Sequence, residues 1–95
     1  MKELIEENYK SIKDRGLITP LTNMDDFIIK IDEEVNEFKE AVESGTLKEI
    51  GEELADVILT ALNTGRHFGF NIENELKNKI EINKQRANET QKERT

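Results

Sequence analysis

The 95-residue chain has no cysteine, no tryptophan, a single proline and only five aromatic residues. Without thiols, disulfides and thiolate metal sites are excluded, so any metal must be held by oxygen or by the one histidine, His67. No apolar run approaches the ~20 residues that a membrane span requires. Nor does the start read as a signal peptide, because Met1-Lys2-Glu3 opens onto acids alternating with apolar residues. A cytoplasmic setting is therefore the expectation. Alternating Val/Thr/Tyr-rich runs are also missing, which removes the usual signal for strands. Basic residues are in short supply where they would matter. Between Asp32 and Asp56 there are ten acids and two bases, against a whole-chain charge of −7. A duplex nucleic-acid binder needs a basic stripe, so that class is set aside.

What remains is helical throughout, and the all-α class follows from the spacing. A first helix is expected from Lys2 to Arg15, with Leu4, Ile5, Tyr9 and Ile12 on one side and Gly16 ending it. The stretch GLITPLTN, residues 16–23, is a loop that could close over a ligand. Asn23 caps a second helix bearing Phe27, Ile28, Ile31, Val35, Phe38 and Val42, which stops at Ser44-Gly45. Thr46-Leu47-Lys48-Glu49 has the capping-box pattern and starts a third helix, which ends near Gly69. Asn71 caps a fourth, carrying Ile72, Leu76, Ile80 and Ile82. Four helices with short connections form one domain over residues 1–90, with a frayed tail over 91–95. A chain this short buries a modest core, so partner copies are a natural way to bury more.

Two acidic clusters interrupt this pattern. Glu34 and Glu37 lie one turn apart on the second helix, on a ridge that also carries Lys30. Glu53 and Asp56 repeat the arrangement on the third, in a narrow polar strip with Glu49, Thr60 and Asn63. Because that helix is apolar over more than half its girth, its polar strip is expected to be partly buried. Like charges at this spacing repel, by roughly 0.2–0.5 kcal/mol per pair even when exposed. Side-by-side packing of the two helices would bring four carboxylates together, and a cation would remove the conflict. Hard oxygen donors suit Mg²⁺, or Mn²⁺, and Mg²⁺ commonly shares its shell with substrate phosphates. The competing reading is a solvated acidic face, with Lys30 and Glu34 forming an intrahelical ion pair. His67, near a helix end, is expected to cap the last carbonyls, with contact to a base as the alternative.

The order of these elements resembles the MazG-like, all-α nucleoside triphosphate pyrophosphohydrolases. Their EExxE signature reads Glu33-Glu34-Val35-Asn36-Glu37 here, and their ExxD reads Glu53-Leu54-Ala55-Asp56, with fifteen residues between. The flanking KIDEEVNEFKEA and GEELADVILTALN are similar as well, and KIEINKQR resembles the KxxxNxxR run of the following helix. The likeness covers about residues 27 to 86. It implies a helical subunit assembled as a homodimer or homotetramer, and hydrolysis of a (deoxy)nucleoside triphosphate at the α–β bond to monophosphate and pyrophosphate. It further implies Glu34, Glu37, Glu53 and Asp56 as Mg²⁺ ligands, and Lys79, Asn83 and Arg86 as phosphate or sugar contacts. Lys30, on the Glu34–Glu37 ridge, is a further candidate for phosphate. For the general base the candidates are Glu37, Glu33 and Glu52, with Glu37 ranked first because the other two point away from the ridge. Clearing surplus or non-standard nucleotides is the leading role. Phosphoribosyl-ATP hydrolysis and a non-catalytic helical oligomer that binds nucleotides or protein are the alternatives.

Overall fold

The structure, a computed structural model, describes residues 1–94, with side chains as far as Gln91. It contains four helices: α1 Lys2–Asp14, α2 Met24–Ser44, α3 Leu47–His67 and α4 Ile72–Arg94. All-α character and the four elements match the sequence reading, and each boundary has a local cause. Gly16 adopts φ 75°, the left-handed conformation that a side chain disfavours, and so turns the chain out of α1. Asn23 and Asp26 form a reciprocal capping box at the start of α2: the Asp26 N–H donates to Asn23 Oδ1 and the Asn23 N–H to Asp26 Oδ2, both at 2.9 Å. The cap of α3 is only half of that motif. Thr46 Oγ1 accepts from the Glu49 N–H at 3.2 Å, but the Glu49 carboxylate takes the Thr46 hydroxyl instead of a backbone group. Asn71 caps α4 by accepting from the Asn74 N–H at 3.1 Å. Helix α4 continues to Arg94; in the expected frayed tail, Thr95 lies outside the described residues.

α2 and α3 pack along their length, α1 lies across α3, and α4 meets α3 near its own start. There, Gly65 is buried against the Ile72 side chain. The seam between α2 and α3 follows 4–3 spacing. Phe27, Ile31, Glu34, Phe38 and Ala41 are the inward positions of α2, and Ile50, Glu53, Val57, Thr60 and Thr64 those of α3. This differs from the expected stripes. Ile28 and Val42 on α2 and Leu54 and Ile58 on α3 were the anticipated core, yet each is about half exposed. The chain offers two apolar faces, and the pairing of α2 with α3 uses the one that carries Glu34 and Glu53.

The consequence is a chain with a small core. Among the described residues Ile18, Phe27 and Ala41 are the buried apolar ones, while Leu54 and Ile58 on α3 and Leu76 and Ile80 on α4 stand open. The radius of gyration is 16.7 Å, against about 12 Å for a compact domain of this length. The extended shape follows from α4, which leaves the bundle after its first turns.

Candidate metal centre and adjoining cavity

The 4–3 seam places Glu34 and Glu53 where a coiled coil would carry leucine. Glu34 is 7 % exposed. Its Oε1 pairs with the Lys30 ammonium at 3.1 Å, while its Oε2 is buried without a partner. Glu53 Oε2, facing it from α3, is likewise buried and unpartnered. Glu37, one turn along α2, completes a trio in which one oxygen from each carboxylate lies within 4.8 Å of the others. Leaving a buried oxygen without a partner costs about 1–3 kcal/mol, so two such atoms facing a third carboxylate form an expensive arrangement unless a cation enters it.

Titration follows the geometry. The charge on Glu34 is the main cause that pushes the Glu37 carboxyl above its ordinary value, followed by desolvation and the charge on Glu53. Lys30 is held above its ordinary value by its hydrogen bond to Glu34. Three carboxylates against one ammonium leave a formal −2, the charge a divalent cation neutralises. The donor set is entirely carboxylate oxygen, which fits Mg²⁺ or Mn²⁺.

Beside the trio opens a cavity of about 500 Å³ between α1, the following loop, α2 and α3. Glu34, Lys30 and Asp56 stand at its acidic end, and Ile18, Phe27 and Leu59 supply apolar wall. Asp56 is exposed and is not part of the close trio. Of the four acids expected to converge, three do, and the fourth faces the cavity one turn further along α3. Glu33 turns outward to an ion pair with Lys30 at 3.6 Å, and Glu52 pairs weakly with Lys48 at 3.9 Å. Lys79, Asn83 and Arg86 are exposed on α4, and none lines the cavity. Arg15, from the end of α1, does line it, and no pattern within α1 marks it out, because its position depends on how α1 crosses α3. Asn63 lines it too, 3 % exposed and with an unpartnered Oδ1. Its register was readable, seven residues beyond Asp56 on the same strip.

His67 holds the cavity's loop wall in place. Its Nε2–H donates to the Thr22 carbonyl at 2.9 Å, and because a carbonyl can only accept, Nδ1 is left to accept from the Tyr9 hydroxyl, also at 2.9 Å. Its ring packs against Phe27 and Phe68, with centroids at 5.0 and 4.9 Å. The histidine sits at a helix end as expected. Its partner, however, is a loop carbonyl and not one of the last carbonyls of α3.

The sequence model of the MazG nucleotide pyrophosphohydrolase domain matches residues 23–90. The chain belongs to the MazG family. The matched span contains the whole carboxylate trio, Asp56 and most of α4, and it leaves out α1 and most of the loop that walls the cavity. Comparison with curated proteins and with solved structures gives no match.

Proposed function

We propose that this MazG chain hydrolyses (deoxy)nucleoside triphosphates between the α and β phosphates, in a Mg²⁺-dependent reaction (Mn²⁺ being an alternative metal) that releases monophosphate and pyrophosphate. The observation that carries the reading is the pair of buried, unpartnered oxygens of Glu34 and Glu53 facing Glu37. Glu34, Glu37 and Glu53 would hold the metal, with Asp56 reaching it from the cavity side. When bound, the metal supplies charge neutralisation of the phosphate chain and polarisation of the reacting phosphoryl oxygens.

The chain's own residues account for the rest. Lys30 and Arg15 offer positive charge at the cavity and can orient phosphate oxygens. Glu37 is the preferred acceptor of the proton from the attacking water. It sits at the trio's exposed rim, within reach of water, whereas Glu33 is turned away to Lys30. Lys79, Asn83 and Arg86 contribute to phosphate binding when a second copy of the chain presents them. Assembly as a dimer or tetramer is supported by the open Leu54–Ile58 and Leu76–Ile80 stripes and by the extended subunit. Among the described residues no helix is long and apolar enough to cross a membrane, in keeping with a cytoplasmic role in nucleotide-pool clearance.

The test is pyrophosphate release from a panel of nucleoside triphosphates in Mg²⁺ and in EDTA, with phosphoribosyl-ATP included. Metal-dependent release with a monophosphate product supports the proposal. Absence of release from every triphosphate by folded protein rejects it.

A further inference from the structure

The cavity contains a side chain that phosphate hydrolysis does not use. Asn63 is almost wholly buried, and its Oδ1 accepts no hydrogen bond, although the cavity it lines has room for a ligand. Buried amides are nearly always paired, and an apolar residue of similar volume would fill the position without an orphaned atom. Thr60, the neighbouring polar group on α3, is already committed: its hydroxyl donates to the Asp56 carbonyl at 2.8 Å. The cavity joins apolar wall from Ile18, Phe27 and Leu59 to polar groups that include Asn63, and such a mixed lining is a common way to grip a flat heteroaromatic ring.

Distance along α3 gives a second, independent reason. Asp56, Thr60 and Asn63 recur at i, i+4 and i+7, and all three line the cavity. Seven residues rise about 10 Å, so Asn63 stands that far from the acidic end. This is the span of a nucleoside from its 5′ phosphate to the far edge of its base. An Asn amide presents acceptor and donor side by side, which suits paired hydrogen bonds to a base edge. Phe27 and Ile18 are positioned to pack on the ring. Ile18 lies outside the span that the family model matches, residues 23–90.

We infer that Asn63 is the base-reading residue of the site, making paired hydrogen bonds to the edge of a nucleobase whose 5′ phosphates lie at the carboxylate trio. The inference rests on the reading of the trio and cavity as a nucleotide site. It is tested on the full chain by calorimetric titration, in Mg²⁺, with the four nucleoside 5′-monophosphates and with ribose 5-phosphate, which has no base. Wild type binds at least one monophosphate about tenfold or more tightly than ribose 5-phosphate, the factor that one bidentate base contact supplies. In Asn63→Leu that advantage falls to about twofold or less, while the affinity for ribose 5-phosphate is unchanged. Asn63→Asp, which keeps an acceptor and drops the donors, changes the order of the bases. A folded Asn63→Leu that retains the wild-type preference overturns the inference, as does wild type that treats every monophosphate like ribose 5-phosphate. Should Asn63→Leu lose its helical signal, an unchanged order in Asn63→Asp overturns it. Triphosphate turnover by wild type is read separately: a base preference lost in the variants, without turnover, keeps Asn63's role and removes the hydrolase assignment.

Discussion

Replacing Glu53 with Gln should change the protein's stability in opposite directions with and without metal. Without metal, wild type holds three carboxylates within 4.8 Å of one another, with Glu53 Oε2 buried and unpartnered. Removing one charge relieves repulsion from Glu34 and Glu37. After allowance for solvent screening, the gain is on the order of 1 kcal/mol. With Mg²⁺ at a hundred times its dissociation constant, wild type is stabilised by about 2.7 kcal/mol, and the variant, lacking a ligand, by little. In a domain of this size 1 kcal/mol corresponds to roughly 4–8 °C in Tm, so wild type should gain roughly 10–20 °C. The two melting curves therefore exchange order between EDTA and Mg²⁺. The assay is circular dichroism at 222 nm at one fixed subunit concentration, since an oligomer's Tm depends on it. A solvated acidic face predicts no exchange. Identical curves in both conditions would refute the argument that these oxygens are arranged for a cation.

Other consequences can be checked independently. Because Glu37 is held above its ordinary value, chiefly by the charge on Glu34, it keeps its proton to higher pH than an ordinary carboxyl, and metal must displace that proton; apparent Mg²⁺ affinity should climb as pH rises through its titration and then level. Metal-free stability should run the other way, falling with rising pH across the same window, because the folded state binds the extra proton there; both are read by titration and melting at several pH values. Gly65→Ala would place a Cβ 2.1 Å from Ile72 Cγ1, far inside ordinary contact, and should cost about 1–3 kcal/mol by melting. Adding Ile72→Ala should recover part of that loss, and failure to couple would place the clash elsewhere. Tyr9→Phe removes the donor to His67 Nδ1 and should destabilise by about 1 kcal/mol, with faster amide exchange confined to the loop over 16–23 and the end of α3.

Local signals carried much of the fold. Asn23, Thr46 and Asn71 each cap the helix that their position announced, and Gly16 ends α1 as its type demands. Pairing of the acids was also legible, since i, i+3 spacing on two successive helices needs only helical geometry. What periodicity could not decide was which face of α3 meets α2. Both faces are apolar enough, and the one bearing Glu53, Val57 and Thr60 turned inward while Leu54 and Ile58 stayed open. That choice depends on how the helices pack against one another, which no single-helix pattern encodes. Arg15 was not legible for a related reason: its place in the cavity wall depends on how α1 packs on α3. The basic run on α4 was easy to see, but that none of it lines the cavity was not.

The most direct measurement is a titration of wild type and Glu34→Gln with Mn²⁺, the free ion being followed by electron paramagnetic resonance. One site per subunit in wild type, displaced by Mg²⁺ and absent from a Glu34→Gln variant of unchanged helicity, is the predicted result. Equal binding by the two proteins, or none by either, would contradict the claim that Glu34, Glu37 and Glu53 form a metal centre.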